Sequence, residues 1–454
     1  MTTRRVAVAG LGLSGQAITQ VLTGRGLDVI GVDDSKPGAV HSADLDLAGL
    51  DQLVVSPGWL PTAPLVQRAA AAGMEVISEV ELAWRLRANQ AAHWLTLTGT
   101  NGKTTTVTML TAMLAAAGRT AVAAGNVGHP LISAVQETAT TDFAVELSSF
   151  QLHHTHSLQP LAAAVLNLAP DHLDWHGSWA DYVQAKARIF HGVQRAMIYN
   201  RDDPATVTLA QEATASPAVS RVGFTLDQPD PGELGLVDQS LVDRAFTEGE
   251  PRELATLADL AHLAATPSQV PPHLVANALA AAALGLAAGI GPDSVKQGLQ
   301  TVKAWAHRLE AVAQINGVRY IDDSKATNPH AAAAALSGFA DAQVVWIAGG
   351  LAKGVSFADL VSQWGHKLKA AVLIGQDQAP LRQALEQHAP GLPRYQVPED
   401  HTGSVMDVAV GQAAKWASQG DVVLLAPAAA SMDQFANYQA RGQAFAQAVR
   451  RLEE

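Results

Sequence analysis

The residues best equipped for chemistry lie in the segment LTLTGTNGKTTTV (Leu95 to Val107), where Gly102, Lys103 and Thr104 stand in the order of a phosphate-binding loop. The usual loop has a glycine at the position occupied here by Leu97, and the nearest upstream glycine is Gly99, so the loop is short. An apolar strand precedes it and a helical pattern follows. In that setting Lys103 can reach phosphate oxygens and the Thr104 hydroxyl can face Mg2+. The backbone N–H groups of Gly99, Thr100, Asn101, Gly102, Lys103 and Thr104 can surround an anion. Charge-assisted bonds contribute roughly 1.5–3 kcal/mol each, so several suffice to hold a nucleotide. A glycine-rich turn without a ligand is the competing reading.

A second glycine cluster opens the chain. Gly10, Gly12 and Gly15 fit G-x-G-x-x-G after a strand, and Asp33 and Asp34 end the next strand. Glycines let the backbone approach a pyrophosphate, and a helix N-terminus offers free N–H groups. A diphosphate ligand is favoured over NAD(P) in particular; a ligand-free tight turn is the alternative.

Other candidates sit at the ends of later strands. Glu146 in VELSSFQL is a carboxylate costly to bury unless paired or metal-bound. NLAPDHLDWHG places Asp171, His172 and Asp174 together, although a lone histidine there is more often a surface or capping residue. The HHTH run (His153 to His156) reads as a surface turn, because adjacent histidines point in different directions. By pattern alone Lys186 in DYVQAKARIF is an ordinary solvated helix lysine. DDSKATNP (Asp322 to Pro329) joins acid, cation, hydroxyl and amide after a strand. AGGLAKG carries Lys353 on a loop, and APAAASMDQF is expected to put Ser431 at a helix start, where a carboxylate is favoured.

The elements that must position these residues are short Val/Ile/Leu runs alternating with alanine-rich helical stretches, the rhythm of βαβ units and mostly parallel sheets. The chain has 454 residues, is 48% hydrophobic and only 16% charged, and so can fill two or three cores. Its formal charge of -12 argues against nonspecific binding to nucleic acid or an anionic membrane. With no cysteine, disulfides and thiolate metal sites are excluded. MTTRRVAVAGLGLSG superficially resembles an export signal, but its apolar run is short and glycine-broken and reads better as a buried first strand. LVANALAAAALGLAAGI (Leu274 to Ile290) contains Asn277 and reads as a packed helix, not a membrane span. A cytoplasmic protein is expected. The first block should hold strands near Val6, Val29 and Val54 with helices between them. Residues 225–255 lack a period and are expected to form an irregular surface insertion. Asn316-Gly317 between alternating runs predicts a two-residue hairpin.

Together these segments resemble the Mur ligases, ATP-dependent amide-forming enzymes of peptidoglycan precursor synthesis. The motifs occur in order along nearly the whole chain: GLGLSG, SPG (Ser56 to Gly58), GTNGKTT (Gly99 to Thr105), GNVG, ELSSFQL, NLAPDHLD, KARI, NALAA, HR, DDSKATN, GG and SMDQF. The resemblance implies an α/β protein of three domains: a Rossmann-like N-terminal domain (1–91) binding a UDP substrate, a central P-loop-type mononucleotide-binding domain (92–303) and a Rossmann-like C-terminal domain (304–454) binding an amino acid. DSKATN implies that the amino acid is D-glutamate and the acceptor UDP-N-acetylmuramoyl-L-alanine.

By the same resemblance, Leu13 and Ser14 lie near the diphosphate, Asp33 near uracil, and Gly58 closes that site. Asn126 and His172 touch the muramoyl-alanine end. ATP is taken by Gly99 to Thr105, with Lys103 and Thr104 on its phosphates, Asn277 at adenine, Arg308 at phosphate and Asp323 at ribose. One Mg2+ falls to Thr104 and Glu146. A second falls to His172 and to Lys186, the latter as a carbamate formed with CO2. Lys103, Glu146, His172 and Lys186 are thus the implied catalytic set, and Lys325, Thr327, Lys353, Ser431 and Tyr438 the implied D-glutamate site. A monomer is implied. The chain departs from the family pattern in the Asp34-Ser35-Lys36 run, at Leu274 and at Tyr438. Three rivals stay open: a nicotinamide oxidoreductase built on GLGLSG alone, a noncatalytic nucleotide-binding regulator, and a sister amide ligase using another amino acid.

Overall fold

A computed structural model describes residues 4–264, 270–303, 307–398 and 405–452. The chain ends and residues 304–306, where the third block is expected to open, lie outside this set. Three sheets, dominated by parallel pairing, carry the fold. Near the N-terminus a four-stranded parallel sheet has the order Asp28–Val32, Arg5–Ala9, Gln52–Val55, Glu75–Ser78. Val6 to Ala9, drawn from the apparent export signal, are buried in it. A helix, Leu13–Gly24, joins the first two strands, but the connection from Val32 to Gln52 contains none, contrary to expectation. Residues 33–51 instead form turns braced by carboxylates, such as Asp34 accepting from the Ser42 N–H and hydroxyl at 2.7 and 2.8 Å.

The central sheet has nine strands in the order Arg252–Thr256, Ser240–Asp243, Glu233–Val237, Ser220–Phe224, Ala196–Asn200, Ala162–Val165, His93–Thr98, Asp142–Glu146, Ala121–Gly125. Its inner strands are parallel and read as apolar runs because both faces are covered. The expected irregular insertion at 225–255 is overturned: three of its segments are strands that extend the sheet, the last two joining antiparallel. Leu234, Leu241, Leu254 and Ala255 are buried there. Each strand has only four or five residues, too few to display a period amid acidic neighbours.

The third sheet runs Glu310–Ile315, Val318–Asp322, Val422–Leu425, Val344–Gly349, Leu368–Ile374, Arg394–Gln396. Its first pair is the antiparallel hairpin closed by Asn316 and Gly317, with φ of 51° and 77°. The remaining pairs are parallel.

The chain clusters into two compact units. Met1–Thr256 with Ala276–Val302 contains the four- and nine-stranded sheets; Leu257–Val275 with Lys303–Glu454 contains the six-stranded sheet. In the first unit, apolar side chains of the N-terminal helices and of the central sheet share one core that includes Ile18, Val80, Trp94, Leu131 and Phe143. Two buried glutamates stitch its parts together. Glu81 accepts from the N–H groups of His156 and Ser157 at 2.8 and 2.9 Å, and Glu79 from that of Ile132 at 3.1 Å. Among the described residues no helix is long and apolar enough to cross a membrane.

Candidate active site

Every sequence-predicted site residue on a strand-to-helix connection lies past a carboxyl end of a parallel strand, where open α/β sheets gather ligands. In the N-terminal sheet, Gly10 follows the first strand, Asp33 the second and Ser56 the third. Gly10 and Ser56 border an open cavity of about 570 Å3 that is also lined by Gly12, Leu13, Ser14, Gly58 and Trp59, whereas Asp33 is not among its lining residues. A Cβ on Gly15 would lie 1.9 Å from the Gly10 carbonyl oxygen, so only glycine allows this turn to fold onto its helix. No cationic side chain lines the cavity, leaving backbone N–H groups, the Ser14 and Ser56 hydroxyls and the Trp59 indole as its donors. Leu13 is 71% exposed at its edge. Asp33 faces its own loop: it accepts from the Leu11 N–H at 2.8 Å and from Ser35, bonds that hold its carboxyl at about 2.

In the central sheet the strand His93–Thr98 delivers Gly99, and the helix Lys103–Ala116 starts at Lys103. Gly102 is left-handed (φ 82°), and a Cβ there would lie 2.3 Å from Asn277 Oδ1. The short loop is braced from neighbouring connections. Asn167 Oδ1 accepts from the Asn101 N–H at 2.9 Å while its Nδ2 donates to the Asn101 carbonyl at 3.1 Å. Thr100 shares a 2.8 Å hydrogen bond with the Tyr182 hydroxyl. Thr105 is buried behind the loop, in the first turn of the helix.

Glu146 ends the strand Asp142–Glu146 and is 2% exposed. Thr104 Oγ1 donates to its Oε2 at 2.9 Å, and Asn126 Nδ2 to its Oε1 at 2.9 Å. A hydroxyl and a carboxylate beside a phosphate loop form a hard-oxygen donor set that fits Mg2+.

Lys186, read by pattern as solvated, is 2% exposed. Its helix, Trp179–Ala187, turns it beneath the loop, where Nζ donates to Thr98 Oγ1 at 3.1 Å and to the Gly99 carbonyl at 2.9 Å. Lys103 Nζ donates to the same Gly99 carbonyl at 2.8 Å. Two ammonium groups on one oxygen repel. Burial first, and then the Lys103 charge, push the Lys186 amine well below its ordinary value. His172 adopts a left-handed conformation (φ 54°) as the cap of a short helix, its ring 4.7 Å from that of Phe150. The HHTH run is not the surface turn expected of it. His153 ends a helix, and His154 is so enclosed that burial lowers its imidazole to about 3.

In the second unit, three loops follow the strands Val318–Asp322, Val344–Gly349 and Val422–Leu425, and carry the residues predicted to hold an amino acid. Lys325 Nζ sits 4.0 Å over the Tyr438 ring, a cation–π contact, and the Thr327 N–H closes a turn on the Lys325 carbonyl at 2.8 Å. Lys353 is exposed at φ 51°. Ser431 is buried, but not at a helix start as expected: Ser431 to Phe435 form a single turn, and the helix begins at Tyr438. Asn437, which supplies the cap through its bond to Ala440 N–H, fixes that start. Asp323 is pushed up to about 8 by burial, against the opposing pull of Arg308.

Sequence reasoning missed Arg441. Buried at 1% exposure, it donates from Nη2 to the carbonyls of Ser324 and Ala429, both at 3.0 Å, and so ties the DSKATN loop to the APAAAS loop. Burial lowers its guanidinium to about 10. It also missed the 2.7 Å bond between His307 Nδ1 and Asp322. Asn167 and Tyr182 stood inside quoted motifs without a role, and their signal was adjacency to His172 and Lys186.

The sequence and the site define one class of protein: the chain belongs to the Mur ligases. Residues 97–285 match the Mur ligase middle domain, and residues 307–429 match the Mur ligase glutamate ligase domain. Among its relatives, UDP-N-acetylmuramoylalanine--D-glutamate ligase of Thermobifida fusca is 50% identical, over 99% of this chain and 98% of its own. The Streptomyces avermitilis protein of the same name is 47% identical over the same shares. Similar solved structures include UDP-N-acetylmuramate-alanine ligase of Thermotoga maritima (TM-score 0.60, 18% identity, 99% of each chain). MurF of Acinetobacter baumannii is a second (TM-score 0.61, 18% identity, 98% and 93% of the two chains). At that identity the structures speak to the fold alone.

Proposed function

We propose that the chain joins D-glutamate to UDP-N-acetylmuramoyl-L-alanine at the expense of ATP, in the cytoplasmic assembly of peptidoglycan precursors. The observation that carries this reading is the buried Glu146 carboxylate, held by the Thr104 hydroxyl and the Asn126 amide beside a lysine-bearing phosphate loop, in a chain half identical to ligases of that name. Residues 1–91, 92–303 and 304–454 then act as three domains for nucleotide sugar, ATP and amino acid, and the protein works as a monomer. In the first, Gly10 to Ser14, Asp33 and Gly58 take the UDP moiety. In the second, Gly99 to Thr105 and Asn277 take ATP, with Asn126 and His172 toward the muramoyl-alanine end. In the third, Arg308 and Asp323 complete the nucleotide contacts, and Lys325, Thr327, Lys353, Ser431 and Tyr438 hold D-glutamate.

The alanyl carboxylate of the nucleotide sugar attacks the γ-phosphorus of ATP. A P–O bond forms, the bond to ADP breaks, and an acyl phosphate results. Lys103 offsets the repulsion between the two anions. Mg2+ held by Thr104 and Glu146, with a second ion near His172 and Lys186, supplies charge neutralisation when bound. The D-glutamate amine then attacks the acyl carbon, phosphate leaves with one carboxylate oxygen, and the amine loses a proton. Lysines suit a dicarboxylate amino acid. A neutral Lys186 amine can add CO2 and release a proton to become a carbamate, which converts a would-be cation into an anionic metal ligand. The depressed proton affinity of Lys186 favours that chemistry. Carboxylate-18O-labelled UDP-N-acetylmuramoyl-L-alanine tests the reaction: the phosphate released should contain one 18O. Unlabelled phosphate would exclude the acyl phosphate.

A further inference from the structure

Beyond their strand ends, two connections that the proposed reaction must bring together are stitched to each other. The strands His93–Thr98 and Ala162–Val165 lie side by side and parallel, with Thr98 opposite Val165. The first continues into the phosphate loop, and the second into the segment that reaches His172. The ladder does not stop where the strands do. The Leu166 N–H donates to the Thr98 carbonyl at 2.9 Å, and the Thr100 N–H to the Asn167 carbonyl at 3.0 Å. The Asn167 side chain then takes over from the backbone. Its Oδ1 accepts from the Asn101 N–H at 2.9 Å, and its Nδ2 donates to the Asn101 carbonyl at 3.1 Å. One side-chain amide thus pairs both polar groups of one residue, as a parallel neighbouring strand would. The Ala169 N–H closes the seam on Thr100 Oγ1 at 2.9 Å. On the far side, Asp203 Oδ2 accepts the Leu168 N–H at 2.7 Å and anchors the second segment.

Of the N–H groups expected to surround an anion, those of Thr100 and Asn101 are therefore committed to Asn167. They set where the loop lies rather than what it binds. We propose that Asn167 is a positioning residue for phosphoryl transfer. It fixes the phosphate loop in register with the connection that carries His172, and so sets the approach of the sugar-linked carboxylate to the γ-phosphate. This rests on the reading of the loop as the ATP site and of His172 as lying toward the muramoyl-alanine end. In that reading Asn167 binds neither substrate itself, so its loss costs alignment rather than affinity. A misplacement of about 1 Å between reacting groups lowers a rate by about a hundredfold. Aspartate has nearly the shape of asparagine and keeps an acceptor for the Asn101 N–H. It sets an oxygen against the Asn101 carbonyl where the donor stood, so the two repel and the seam opens on one side.

Steady-state kinetics of the full chain, with ATP and UDP-N-acetylmuramoyl-L-alanine varied in turn, test the proposal. Wild type, Asn167→Ala and Asn167→Asp are each assayed well below their melting temperatures. Both variants should lose about tenfold to about a hundredfold in kcat, with each KM within about threefold of wild type. A merely structural role would lower the melting temperature and leave kcat per folded molecule unchanged, and that result overturns the proposal. So does a raised KM for ATP at unchanged kcat, which would make Asn167 a support for nucleotide binding alone. If Asn167→Ala does not fold, the nearly isosteric Asn167→Asp decides by itself. A wild type that consumes no ATP with the nucleotide sugar and D-glutamate present would sink the reading of the two sites, and this proposal with it. Normal kcat in the variants beside an active wild type would sink this proposal alone.

Discussion

Replacing Gly102 by alanine probes the phosphate loop at the point where its shape is most constrained. Gly102 sits at φ 82°, and an alanine there costs ~1–2 kcal/mol of backbone strain. The added Cβ would also lie 2.3 Å from Asn277 Oδ1 and 3.1 Å from its Cγ, so the Asn277 side chain must leave its place. Loss of one hydrogen bond to the nucleotide at ~1 kcal/mol, together with strain in the donors of the loop, raises KM for ATP by about tenfold or more. KM for the nucleotide sugar, whose proposed cavity is lined by other residues, should stay near its wild-type value. The assay is steady-state ADP formation with each substrate varied in turn, beside thermal melting without nucleotide. The clash also predicts coupling. Asn277→Ala in the G102A background should recover part of the lost stability, a coupling of at least ~0.5 kcal/mol in the double-mutant cycle. Wild-type ATP affinity in G102A, or strict additivity with Asn277→Ala, would refute the constraint argued for this loop.

Three further outcomes follow from the site. Lys186→Ala should reduce turnover severely, and wild-type activity should fall in CO2-depleted buffer and return with bicarbonate; near-normal turnover of the variant removes the carbamate. Asp323 has a folded-state value of about 8, above its ordinary 3.8, so its contribution to stability is full below its unfolded value and is lost as pH rises through about 8. Asp323→Asn should therefore gain on wild type by up to ~1.4 kcal/mol per pH unit between about pH 4 and about pH 8 in denaturant melts; a constant difference contradicts the assignment. Arg441→Met leaves the Ser324 and Ala429 carbonyls without their donor, a cost of ~1–3 kcal/mol each, and should lower the melting temperature while raising KM for D-glutamate. Unchanged melting and KM would remove its bridging role.

What could be read before folding was whatever is written in contiguous residues. The short loop Gly99 to Thr105, the Asn316-Gly317 hairpin and the alanine-rich helix Pro272–Ala287 declare themselves through local backbone demands and periodicity. Contacts between distant segments were not legible. Arg441 finds the Ser324 carbonyl 117 residues away, and Glu81 finds Ser157 76 residues away, so no short window of sequence holds both partners. The strands between Glu233 and Thr256 were invisible because each has only four or five residues, too few to show a period, and because Glu233 and Asp243 are acidic residues that the fold buries. Lys186 shows the limit most sharply. Its helix pattern suggests solvent, and only the packing of that helix beneath the phosphate loop reveals a buried amine.

The central claim, that the chain spends ATP to activate a nucleotide-sugar carboxylate for D-glutamate, meets its most direct test in one measurement. Phosphate release is followed with ATP, Mg2+ and UDP-N-acetylmuramoyl-L-alanine, and a panel of amino acids is added one at a time. D-Glutamate alone should stimulate release strongly, with one amide product formed per phosphate. Equal stimulation by other amino acids, or release indifferent to both D-glutamate and the nucleotide sugar, would contradict it.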